Sequence, residues 1–116
     1  MSATAPTDTR DGEVRELLRR LDSWLYLRVE HRPDCVILRV HDVVVGTLSP
    51  ASGTLSVPVP RDMVGVLLEC HQQLRSTGDG VSLPVRDADS CTAAEELLRW
   101  RVELARYAPQ LRAASP

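Results

Sequence analysis

The chain reads as one α+β domain, a mainly antiparallel sheet of four or five strands with helices packed against it. Three observations predict this. Period-two runs recur at 25–30, 36–40, 43–48 and 54–59, separated only by tight turns. Helical periodicity is confined to the flanks of that block and to the stretch after it. The turns are too short for parallel crossovers, so consecutive strands must form a meander, in the order α-β-β-β-β-α-β-α. The domain is expected over 10–108, with a disordered N-terminal tail at 1–9 and a C-terminal tail at 109–116.

The first helix is placed at about 10–22, where Val14, Leu17, Leu18 and Leu21 fall on one face. Leu25, Leu27 and Val29 then alternate with Tyr26, Arg28 and Glu30 as strand one, and HRPD at 31–34 makes a turn. Strands two to four follow, punctuated by HD at 41–42 and SPASG at 49–53. Gly46 interrupts VVVGTL, which predicts a bulge or a close backbone approach. Helix two is expected from Pro60 or Arg61 to about Leu74. Its apolar residues wrap so widely that it should be buried on more than one side or pack on a partner. Val81, Leu83 and Val85 read as a fifth strand, an edge because of Pro84. The last helix buries Ala94, Leu97, Leu98, Val102 and Ala105. Thr92 and Glu95 sit at capping-box spacing, with Ser90 a competing cap.

Composition bounds the function. A 116-residue chain with 43% hydrophobic and 26% charged residues can bury a real core. A net charge of −2 gives no global attraction to nucleic acid or anionic lipid. All 14 basic residues are arginine, but they are scattered, as in a chain from a GC-rich genome. No stretch approaches a membrane span, and the polar start MSATAPTDTRDG is no secretory signal. A bacterial cytoplasm is the expected setting, with Cys35, Cys70 and Cys91 as reduced thiols behaving like small buried hydrophobes.

Candidate chemistry is sparse. His31 and Cys35 flank one turn, but six residues of strand put His41 roughly 20 Å from Cys35. Cys70 and His71 diverge on their helix by about 100°. No C-x-x-C or H-E-x-x-H spacing occurs, so neither metal nor cofactor is expected. Asp87/Asp89 and Glu95/Glu96 are explained by solvation and a helix start. Arg99, Arg101 and Arg106, interleaved with Glu95, Glu96 and Glu103, read as a solvated, ion-paired face.

Three segments carry a resemblance: VVVGTLSPASGTLSVPVPRDMVGVLL at 43–68, VSLPVRDADS at 81–90 and AAEELLRWRVELARY at 93–107. Their layout of strand, glycine, turn, strand, proline and helix, then late strand and closing helix, resembles the short bacterial "luciferase family" proteins. It is more distantly similar to MmcQ/YjbR-like domains. The chain departs from that pattern twice. Gly46-Thr47-Leu48-Ser49 stands where the family has Gly-His-x-His, and Gly80-Val81-Ser82 where it has Gly-Trp-Val. The resemblance therefore implies a fold but no role for those His or Trp positions.

Two functions follow. The first is a non-catalytic accessory or protein-interaction domain, forming a homodimer or docking through helix two or the 81–85 edge. The second is a small-molecule-binding protein or compact enzyme with a pocket between sheet and helices. Its polar groups would be His71 and Cys70 on helix two, Tyr26 on strand one and Arg39 on strand two. A cavity of about 300 Å³ or more holding His71 or Arg39 would favour the second.

Overall fold

The computed structural model describes residues 5–107, and the tail expected at 109–116 lies outside them. Along the chain run α1 (Ala5–Asp22), β1 (Arg28–His31), β2 (Val36–Val40), β3 (Val43–Ser49), β4 (Thr54–Pro58), α2 (Arg61–Cys70), β5 (Arg75–Ser76), β6 (Gly80–Pro84) and α3 (Ala88–Tyr107). The class is α+β as expected, but the sheet has six strands, ordered β1-β2-β3-β4-β6-β5 and antiparallel throughout. α1 begins five residues before the expected start.

One face of the sheet is apolar and covered. Val36, Leu38 and Val40 of β2, Val45 and Leu48 of β3, Leu55 and Val57 of β4, and Val81 and Leu83 of β6 are all buried. Val14, Leu17 and Leu21 of α1 and Ala94, Leu97, Leu98, Val102 and Ala105 of α3 close over them. The core is thus leucine and valine, with Trp24 and Trp100 only partly buried at its margin. The opposite face carries Thr47, Ser56 and Ser82 in one cross-strand row, and no helix of the described residues is seen to seal it.

Gly46 does both things expected of it. The pairing passes from Leu38/Gly46 to Arg39/Val44, leaving Val45 as an extra residue on β3. A Cβ on Gly46 would come within 3.0 Å of Leu98 Cδ2, so α3 packs down on the glycine backbone. Gly53, at φ 70°, closes the β3–β4 turn by donating to Ser49 O at 2.7 Å.

Several expectations change. Strand one starts at Arg28 rather than Leu25, because four large apolar residues in a row (Trp24 to Leu27) cannot alternate between faces. α2 ends at Cys70, and none of its residues is fully buried. Met63, Val64, Leu67 and Leu68 rest on the core margin, while Val66 is 61% exposed. The strand at 81–85 is not an edge over its first half, since β5 pairs Arg75 with Ser82 and Ser76 with Val81. α3 starts at Ala88, so the cap is Asp87 with Ser90, and Thr92 lies exposed inside the helix.

Candidate functional site

Trp24 and Tyr26, two aromatic residues left outside the core, line one cleft. α1 stops where Trp24 N–H donates to Leu21 O at 3.0 Å, and Ser23 Oγ–H donates to Arg20 O at 2.8 Å. The chain then crosses from the helix layer to the sheet edge in four residues, Trp24-Leu25-Tyr26-Leu27. Only Leu27 reaches the core; Leu25 is 92% and Tyr26 51% exposed.

α3 supplies the other wall. Arg99, Val102, Glu103 and Arg106 recur at helical spacing and share one face. The Arg106 guanidinium lies over the Tyr26 ring, 3.6 Å from its centroid, and Arg99 over Trp24 at 5.4 Å. Between them is a cleft of about 260 Å³. Its arginines are already answered by helix glutamates: Arg99 reaches Glu95 at 3.3 Å, and Arg106 reaches Glu103 at 3.1 Å. The cleft therefore offers ring faces and guanidinium planes rather than an unbalanced cation.

The residues proposed from the sequence are not brought together. Tyr26 lines the cleft. Arg39 lies on the opposite sheet face, its Nε donating to Glu30 Oε1 at 3.2 Å. Glu30 also accepts from Arg32, and these hydrogen bonds hold its carboxyl below the usual range. Cys70 is the exposed last residue of α2, and His71 caps that helix, its N–H donating to Leu67 O at 3.0 Å. α2 packs beside β5 and β6, at the far edge from β1. Five strand spacings separate those edges, about 24 Å. Two larger surface clefts, about 340 and 620 Å³, flank the Thr77–Gly80 loop, and neither is lined by His71 or Arg39.

The thiols differ in setting. Cys91 is buried under α1, 3.9 Å from Glu13 O, and burial pushes its pKa up. Cys35 is half-buried, whereas Cys70, expected to be buried, is exposed. Among the described residues, no three His, Cys, Asp or Glu side chains converge as a metal site needs, and no helix is long and apolar enough to cross a membrane.

Sequence reasoning missed Trp24, Leu25, Arg99 and Arg106. The signal was present in the run Trp-Leu-Tyr-Leu, which places two of the chain's four aromatic residues two positions apart. No family model matches the chain, and no curated protein or solved structure matches it either.

Proposed function

We propose that this chain is a non-catalytic accessory domain that works by binding protein, in a bacterial cytoplasm. One observation carries the reading: Leu25 and Tyr26 stand exposed beside Trp24, Arg99 and Arg106. A lone exposed leucine needs no explanation, but a cluster of Trp, Tyr, Arg and Leu has the composition in which binding energy concentrates. The layout that resembles the luciferase-family proteins would add a fold to this proposal and no chemistry. The pocket-based alternative has less support, because among the described residues neither of the two larger clefts is lined by His71 or Arg39.

The test is a photo-crosslinking amino acid placed at position 25, with one at the exposed position 92 of α3 as control. A discrete protein adduct at 25 and not at 92 is the expected result. No adduct at either position, together with a metabolite that raises thermal stability and loses its effect in Trp24→Ala, would overturn the reading.

A further inference from the structure

The two edges of the sheet are unlike. At one end β5 is only two residues long; at the other β1 offers four residues along a side that no strand of the described residues pairs with. The hydrogen bond from Arg32 N–H to Cys35 O, 2.8 Å, sets which groups are free. Backbone groups alternate along a strand, so Glu30 and Arg28 also point at β2, while Val29 and His31 point outward. Short edges, charges and prolines are the usual defences against pairing. β5 is defended by its length, whereas β1 has no proline before Pro33.

Charge marks the same strand. Arg28 sits opposite Arg39 in the β1–β2 register, a like-charged cross-strand pair. Glu30 bridges Arg39 and Arg32 but not Arg28. Arg28 has no ion-pair partner among the described residues.

We propose that β1 pairs antiparallel with β1 of a second copy, about a two-fold axis through Val29. This rests on the reading that the domain works by binding protein, and it names the partner. An axis normal to the sheet keeps each face continuous, so the centre must fall on a residue and not between two. A centre on Arg28 or Glu30 sets like charges face to face. A centre on His31 sets Val29 against Pro33, which has no N–H to give. A centre on Val29 opposes outward-pointing residues throughout: Val29 to Val29, and Leu27 to His31 in both directions, with about six backbone hydrogen bonds. The same register sets Arg28 of each chain opposite Glu30 of the other. It also carries exposed Leu25 and Tyr26 toward the second copy's Arg32–Pro33 turn. One sheet then runs through both chains, with the helices of both on one side.

A five-residue seam, Leu27 to His31, belongs to the small class of interfaces, so association is expected at micromolar concentrations. The test uses the full chain in sedimentation equilibrium from about 1 to about 500 µM, a range centred on that class. The wild type should pass from one-chain to two-chain mass. Arg28→Glu and Glu30→Arg, each alone, should weaken self-association about tenfold or more, because each sets like charges opposite one another twice. Mixed together they should form a heterodimer, since every opposed pair is then complementary. His31→Pro removes an outward N–H without touching the bonds to β2, and should give a folded monomer by circular dichroism. A wild type that stays at one-chain mass across the range overturns the proposal. So does a dimer indifferent to the charge swaps and to His31→Pro. An adduct at position 25 to a different protein, with no dimer, would sink this inference while leaving the protein-binding reading intact.

Discussion

Arg101 Nε donates to the backbone carbonyl of Pro58 at 2.7 Å, tying the middle of α3 to the last residue of β4. The guanidinium is half-buried, and burial pulls its pKa down. It stays charged because arginine's ordinary pKa is so high. Arg101→Met keeps the packing of the stem and loses the charged donor, and should cost about 1.5–3 kcal/mol in urea unfolding. An unchanged midpoint would mean water replaces the bond at no cost.

Gly80 has no room for a side chain. A Cβ there would lie 2.1 Å from Val57 O and 2.7 Å from Val59 N, both backbone atoms of the neighbouring segment. Gly80→Ala must push β6 off β4, and a loss of about 3 kcal/mol or more is expected, near the upper end for single substitutions. Gly65, with nothing within 4 Å of its added Cβ, is the control. Gly65→Ala in the middle of α2 should stabilise by about 0.5–1 kcal/mol through helix propensity.

His41 holds φ at 58° in the turn between β2 and β3. A side chain in that region costs about 1–2 kcal/mol, and glycine pays none of it. His41→Gly should raise the unfolding free energy by about 0.5–1 kcal/mol, net of glycine's greater unfolded-state freedom. A loss of stability would show that the imidazole makes a contact worth more than the strain.

Ser90 is buried, and its Oγ accepts from Arg86 N–H at 2.8 Å and Asp87 N–H at 3.0 Å. Its own N–H donates to Asp87 Oδ1 at 2.8 Å. Ser90→Ala leaves the Arg86 and Asp87 N–H groups unanswered at the start of α3 and should cost about 1–2 kcal/mol.

Acid sensitivity follows from two carboxylates. Glu16 is brought down to about 2 by hydrogen bonds from Arg19 and then Arg20. Asp87 lies below its ordinary value through the backbone and then the side-chain hydrogen bond of Ser90. In both, the folded pKa is depressed, so the stabilisation is full above the unfolded-state pKa and is lost as pH falls through the folded one. For Glu16 that window runs from about 4.5 down to about 2. Asp87 is exposed and Glu16 only half-buried, so solvent screens both and the effect is small. Thermal melts of the wild type should decline across the window, and Glu16→Gln should flatten that part of the curve.

Much of the architecture could be read from residue order because burial repeats with the period of the element. The runs at 36–40 and 54–59 gave the right strands, and the spacing of Leu97, Leu98, Val102 and Ala105 gave the right helix face. β5 could not be read at all. Arg75 and Ser76 have no apolar pattern, and only their pairing with Ser82 and Val81 makes them a strand. The α3 cap is ambiguous in the sequence because Asp87-x-x-Ser90 and Thr92-x-x-Glu95 satisfy nearly the same spacing rule. Arg99 and Arg106 were rightly read as ion-paired. That they also cover Trp24 and Tyr26 depends on a contact across more than seventy residues, which no local pattern encodes. Arg101, read with them as solvated, instead turns inward to Pro58.

The two-residue β5 has a consequence for crowded or concentrated conditions. A sheet open at both sides can recruit copy after copy, and its natural end point is a fibre. Among the described residues the β5 side offers two residues of ladder and the β1 side four, so a gain at β1 would have no matching edge to be passed on to. If β1 pairs as proposed, growth would end after a single addition, and concentrated solutions should hold two-chain species rather than fibres.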